Sequence, residues 1–419
     1  MLMERILSRG NLITALKRVE QNKGSHGIDG MSVKFLRRHL YENWDSLREA
    51  LRTGNYQPSP VRRVEIPKAS GGVRLLGIPT VTDRFIQQAI AQVLTPIFDP
   101  TFSDNSYGFR PNRRAHDAVR KAKGYIKEGF RWVIDMDLEK FFDKVNHDKL
   151  MGILAKRIED RILLKLIRKY LQSGVMLNGV VQSTEEGTPQ GGPLSPLLSN
   201  IILDKLDKEL EGRGHKFVRY ADDCNIYIKS IKAGKRVMES ITTFIEQNLK
   251  LKVNRDKSAV DRPWKRKFLG FSFTWNKEPK VRIAKESIKR FKTKIREITS
   301  RSKPFPMEVR VEMINRYITG WCGFFALADT PSKFEEFDVW IRRRLRMCEW
   351  KQWKNPKTRV RKLIGLGVPE WQAHEWGNSR KKYWRISHSP ILDKTLDNSY
   401  WNQRGLKSLY NRYKFLRKS

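Results

Sequence analysis

The sequence predicts an α+β fold in more than one domain, and three patterns carry that expectation. Short apolar, strand-like runs end in carboxylates at Asp137 and at Asp222-Asp223, helical apolar periods separate them, and beyond residue 275 the texture turns to long basic helices. At 419 residues, 39% hydrophobic and 11% aromatic, the chain has material for roughly two to four cores, so disorder throughout is excluded. The 84 Lys and Arg against 45 Asp and Glu leave +39, which points to a polyanionic partner. Polybasic chains also bind anionic membranes, but no uncharged apolar stretch approaches the roughly 18 residues that span a bilayer, and no membrane partner is expected. Charge interrupts Met1 to Leu7 before a secretory h-region forms. Cys224, Cys322 and Cys348 are odd in number and far apart, which indicates neither a disulfide framework nor a zinc site. A cytosolic, reduced protein is expected.

In chain order, residues 1–60 read as helices, with Leu12, Ala15, Leu16 and Val19 on a 3.6 period, followed by a loop from Gly24 to Gly30. Val61 to Ile78 alternates, breaks at Ser70-Gly71-Gly72 and resumes at Val73, as a hairpin does. Thr82 to Leu94 is helical. Arg131 to Asp137 reads as a strand, and His215 to Lys229 as two short strands around Ala221-Asp222-Asp223, with Leu- and Ile-rich helices between. After Phe268-Leu269-Gly270-Phe271-Ser272-Phe273 come basic helices over Glu286–Ile298 and Glu308–Phe325, which sets a domain boundary near 275–285. A second break falls where Pro356, Gly365, Gly367 and Pro369 cluster. Residues 277–419 hold 35 basic and 14 acidic residues, so this third carries +21 of the charge.

The chemistry begins at Tyr220-Ala221-Asp222-Asp223. Two adjacent carboxylates on a tight turn repel one another unless a cation sits between them; the competing reading is Asp as a turn former. A second acidic segment, Asp135 to Asp143, shifts the balance, because period 2 puts Asp135 and Asp137 on one face of a strand end. If that strand lies beside the hairpin, carboxylates from both meet at one sheet edge, a set of hard oxygen donors that suits two Mg²⁺ ions.

These segments resemble the A and C motifs of reverse transcriptases, and Tyr-Ala-Asp-Asp resembles the form found in group II intron reverse transcriptases. Further blocks are similar to that family in the same order: Arg63 to Lys68 with Leu76 to Thr80, Ser106 to Pro111, Gly187 to Pro196, and Phe268 to Phe271. Gly320-Trp321 to Phe325 and the Trp340 to Arg346 run resemble its thumb, or maturase, region, so the likeness covers about residues 5 to 415. It implies a right-hand polymerase: an N-terminal extension (1–60), fingers (61–125), a palm around a small antiparallel sheet (126–275), a helical thumb (276–355) and a basic DNA-binding module (356–419). The chain stops without the family's His/Asn and cysteine-pair endonuclease and resembles the compact kind called class C.

The resemblance implies roles residue by residue. Asp137, Asp222 and Asp223 are the expected catalytic metal ligands, with Asp135 a structural neighbour. Asp222 is the stronger candidate of the pair, since adjacent side chains on extended backbone point apart. Phe141 or Phe142 would lie beneath the nucleotide sugar; the alternative is that both are core. Lys68 and Arg74 would fold over the triphosphate as point charge and fork, against the alternative of a solvated basic hairpin. Gln190, in a Gly/Pro loop ahead of a helix capped by Ser195, would bond the sugar. Arg110 would support template or nucleotide, or else form a structural salt bridge. Lys257 matches the position of the family's general acid to pyrophosphate, against the reading of a surface lysine. Leu269 and Gly270 would bring backbone to the primer end, or mark a bulge in a core strand. Of the tryptophans among the C-terminal Lys and Arg (340, 350, 353, 371, 376, 384 and 401), about two thirds are expected in cores and the rest to stack on bases.

The implied function is RNA-directed DNA synthesis from a DNA or RNA primer on an RNA template, with dNTPs and two Mg²⁺ ions. Partners implied are group II intron RNA, whose splicing and mobility the protein assists, and target DNA, in a bacterial cytoplasm with the nucleoid. Two alternatives stay open: mainly a non-enzymatic RNA-binding maturase, or a reverse transcriptase recruited to host defence or repair.

Overall fold

A computed structural model describes residues 1–67, 72–177, 180–182, 186–187 and 191–418. The chain divides into two compact units, residues 1–263 and 264–419. In the first, strands β1 (Val61–Pro67), β2 (Val73–Ile78), β3 (Trp132–Met136), β4 (Val175–Leu177), β5 (Val180–Gln182), β6 (Lys216–Tyr220), β7 (Asp223–Ile228) and β8 (Ala259–Asp261) form two four-stranded sheets. The expected hairpin is β1 with β2, antiparallel, Ile66 opposite Arg74. Its extension is not local: β1 pairs in parallel with β4, which pairs antiparallel with β5.

The second sheet, in the order β6-β7-β3-β8, is wholly antiparallel. Val133, Ile134 and Met136 of β3 are buried, as are Phe217, Val218, Ile226 and Tyr227 on the hairpin beside it. Helix Ser195–Gly212 turns Leu197, Leu198, Ile201, Ile202, Leu206 and Leu210 inward on a 3.6 period and lies against β6. Helix Val81–Phe98 begins where Thr80 Oγ1 accepts from the Asp83 N–H at 3.1 Å, an N-cap, and buries Phe85, Ile86, Ala89, Ile90, Val93 and Leu94. Ser195 is the first residue of its helix rather than the cap, a place taken by Leu194, and Pro196 follows where its missing N–H costs no bond.

In the second unit β9 (Phe271–Phe273) pairs antiparallel with β10 (Val281–Ile283), Phe273 opposite Val281. That pairing draws residues 264–275 into the C-terminal unit, so the division falls at Pro263 and not at the expected 275–285. Helices Lys285–Ile298, Met307–Phe325 and Pro331–Gln352 share an aromatic core in which Phe291 lies 4.4 Å from Trp321 and 4.7 Å from Phe337, centroid to centroid. The segment expected as a separate terminal module returns to this core. Tyr413, on helix Leu409–Lys418, stacks on Phe334 at 4.3 Å. Asp338 accepts from the N–H groups of Leu409 (2.8 Å) and Tyr410 (3.0 Å) and from Ser408 Oγ (2.6 Å), satisfying the open end of that helix from outside it. No helix among the described residues is long and apolar enough to cross a membrane.

Asp338→Ala leaves these three donors without their acceptor and costs about 3 kcal/mol. Amide exchange over residues 409–418 is expected to quicken by orders of magnitude while β3, β6 and β7 keep their protection; equal protection in the variant contradicts the capping role.

Candidate active site

Two local devices set the acids in place. β3 ends at Met136, opposite Cys224, and Asp137 follows with its main chain held on both sides: its N–H donates to Ser258 Oγ at 3.0 Å, and its carbonyl accepts from the Asn254 N–H at 2.8 Å. β6 and β7 are joined by the two-residue turn Ala221-Asp222, with Tyr220 opposite Asp223. Ala221 is left-handed at φ +58°, a conformation that costs an L-residue roughly 1–2 kcal/mol and so needs holding in place.

Asp137, Asp222 and Asp223 line one cleft of about 980 Å³, together with Phe141, Phe142 and Lys257. Among the described residues its wall carries seven acidic ones (Asp137, Glu139, Asp143, Asp222, Asp223, Glu246, Asp256) and four basic ones (Lys140, Lys252, Arg255, Lys257). In a chain of +39 this local excess of carboxylate marks a place built to receive cations. Asp135 does not line it; it lies within the sheet, opposite Asn225 on β7 and Ala259 on β8. Lys257 Nζ lies 3.6 Å from Asp137 Oδ2, an exposed pair of small energetic weight.

Among the described residues no three acidic, His or Cys side chains converge into a closed ion-binding cage. The donor set nevertheless fits Mg²⁺, which keeps several waters and is ordinarily held by one or two carboxylates plus substrate phosphate oxygens. Carboxylates just past the end of β3 and at the β6/β7 turn, lining one cleft, supply that kind of half-site.

Behind the turn lies a group that the sequence reading did not single out. Arg219 is fully buried, and its guanidinium is gripped by Asp207 through Nε (2.7 Å) and Nη2 (2.6 Å). Nη1 donates to Asn200 Oδ1 (3.0 Å) and to the Ala221 carbonyl (2.8 Å), and Nη2 also to Ser106 Oγ (2.8 Å). Burial pulls the Arg219 pKa down and Asp207 raises it further, so the guanidinium stays charged. A signal for this existed: Asn200, Asp204 and Asp207 are an amide and two carboxylates in a helix rich in Leu and Ile, and all three are buried.

The remaining candidates divide. Phe141 and Phe142 are both buried, edge to face at 5.1 Å, and both border the cleft; Phe142 also borders a second cavity with Leu76, Gly191 and Gly192. The backbone of Arg74 lies in β2 opposite Ile66, whereas Lys68 and Gln190 lie outside the described residues. Arg110 is a correction: its guanidinium is occupied by Asp99 Oδ1 (2.8 Å) and by the carbonyls of Ser103, Ser106 and Asp99, so it braces its own loop and has no fork left for a template. Leu269 and Gly270, in the second unit, are both left-handed and form the turn between Phe268 and Phe271, whose N–H and C=O groups bond reciprocally at 2.9 Å. Trp350, Trp353 and Trp401 are core, whereas Trp371 is exposed and Trp384 is partly exposed beneath Arg343 at 4.0 Å.

A family model described as reverse transcriptase (RNA-dependent DNA polymerase) matches residues 66–273, which enclose the cleft, and one for the group II intron maturase-specific domain matches residues 288–364. Protein YkfC of Escherichia coli (strain K12) is 36% identical over 279 residues, 57% of this chain and 73% of that protein. Group II intron-encoded protein LtrA of Lactococcus lactis is 44% identical over 161 residues, 38% of this chain and 27% of LtrA. The putative COX1/OXI3 intron 2 protein of Saccharomyces cerevisiae is 31% identical over 333 residues, 64% of this chain and 38% of the yeast protein. The chain thus spans most of YkfC but well under half of the other two.

Gly108 packs on the turn so closely that a Cβ there would lie 2.2 Å from the Ala221 nitrogen and 2.9 Å from the Tyr220 carbonyl carbon, backbone atoms that cannot step aside. Gly108→Ala is therefore expected to displace Asp222 and lower primer extension at least tenfold with RNA affinity retained. Wild-type extension by that variant would show that the approach does not matter.

Proposed function

Because the chain belongs to the reverse transcriptases that carry a group II intron maturase-specific domain, we propose that it copies RNA into DNA by extending a primer 3′-hydroxyl at the cleft of Asp137, Asp222 and Asp223. The observation that carries this reading is the acid-lined cleft in a strongly basic chain, built from two separate segments within the matched residues 66–273. Two Mg²⁺ ions supply, when bound, activation of the 3′-hydroxyl and stabilisation of the pyrophosphate leaving group. Asp137 and Asp222 are the residues that would hold them, with Asp223, the first residue of β7, as the further ligand. Lys257, already beside Asp137, is suited to protonate the departing pyrophosphate.

Lys68, and Arg74 of β2, are proposed to hold the triphosphate, and Gln190 the sugar. Phe142, on the border of both cavities, is the better candidate than Phe141 for excluding a ribose 2′-hydroxyl. Leu269 and Gly270 are proposed to approach the primer. Binding of group II intron RNA and of target DNA is proposed for the C-terminal unit, which holds the maturase-specific match and whose Arg and Lys sit over aromatic rings, as Arg343 does over Trp384.

Asp137→Asn or Asp222→Asn keeps the side-chain shape and removes one negative ligand. Primer extension on an RNA template is expected to fall by at least a hundredfold, while equilibrium binding of the same RNA holds or tightens slightly. Asp135→Asn is the milder control. Extension by Asp222→Asn near the wild-type rate would end the catalytic assignment, and joint loss of RNA binding in all three variants would make the carboxylates structural and favour a chaperone.

A further inference from the structure

We propose that Arg219 is a positioning residue for this site, a buried mount that aims Asp222 by holding the carbonyl of the residue before it. The inference rests on the polymerase reading above and adds to it a residue that touches neither nucleotide nor cation.

A guanidinium has five N–H donors in a fixed plane, and here all five are used. Four are spent on fixed points: both oxygens of Asp207, Asn200 Oδ1 and Ser106 Oγ. The fifth reaches the Ala221 carbonyl at 2.8 Å. That carbonyl belongs to the peptide unit linking Ala221 to Asp222, so fixing its direction fixes the plane from which the Asp222 side chain departs. The turn requires such a hold because Ala221 is left-handed and would relax if released.

The mount is itself braced. The main chain of Arg219 bonds to the 105–107 segment in both directions, its N–H donating to Asn105 O (2.9 Å) and its carbonyl accepting from Tyr107 N–H (2.9 Å). Asn200 completes the circuit by donating Nδ2 to the Gly108 carbonyl at 2.8 Å, which holds that glycine against the turn. Arg110, rejected above as a template contact, anchors the same loop through the Ser106 carbonyl at 2.9 Å. A buried ion pair is a poor device for stability alone, since apolar residues of similar size often serve as well. What a planar five-donor fork provides and an apolar core does not is direction.

Two variants test this. Arg219→Lys keeps the charge beside Asp207 but lacks the planar fork, and Arg219→Met with Asp207→Leu removes both charges together, avoiding a buried unpaired ion. Each is compared with wild type for thermal midpoint, RNA affinity, primer-extension kcat and KM for dNTP, and Tb³⁺ luminescence titration as a measure of cation binding apart from activity. The expected result, in whichever variant folds, is RNA affinity within about twofold of wild type, kcat lower by about 10- to 100-fold and Tb³⁺ affinity several-fold weaker. A folded variant with wild-type kcat and Tb³⁺ affinity overturns the proposal, as does failure of both to fold, which would make the pair a folding element only. Asp222→Asn, run alongside, separates the two claims. If it still extends primers, the polymerase assignment is at fault; if it is inactive while Arg219→Lys behaves as wild type, only the positioning role is.

Discussion

The buried ion pair between Arg219 and Asp207 is the interaction on which the site's geometry hangs. With the other bonds of the same guanidinium it joins three segments: the loop around Ser106, more than a hundred residues away in sequence, the helix bearing Asn200 and Asp207, and the β6/β7 turn at Ala221. Removing one partner from such a pair costs about 3–5 kcal/mol, a large part of a domain's net stability. The Asp137 side of the cleft is assembled differently, from main-chain bonds to residues 252–258, so the two walls depend on separate supports.

Charge is distributed to match. The chain is strongly cationic as a whole, which suits a polyanionic partner, yet seven of the eleven ionisable residues described on the cleft wall are acidic. A phosphate chain drawn in by the general field meets carboxylates it cannot approach closely without bound cations. Cation and nucleotide are thereby expected to enter together, in keeping with the described carboxylates, which form no closed cage among themselves.

Much of this was legible in the sequence because it is local. Apolar runs ending in acids mark β3 and the β6/β7 hairpin, alternation with a glycine break marks β1/β2, and the ordered motif blocks point to the family that the comparisons support. What was not legible is which groups choose one another as partners, some of them near in sequence and some far. The parallel pairing of β1 with β4, the joining of residues 264–275 to β10 and the fate of Arg110 each follow from tertiary partners that no local period encodes. Arg219 is hard to single out because in a chain this rich in arginine one more beside an acidic motif reads as surface charge, and its burial against Asp207 sets it apart.

The central claim is that Asp137 and Asp222 hold the cations at which primer and nucleotide react. The most direct measurement is Mn²⁺ binding, by electron paramagnetic resonance, to the protein carrying a primer–template and a non-reactive dNTP analogue. The account predicts two Mn²⁺ ions per complex for the wild type and weakened binding, with loss of at least one ion, for Asp137→Asn combined with Asp222→Asn. Unchanged stoichiometry and affinity in that double variant, with primer–template still bound, would contradict it.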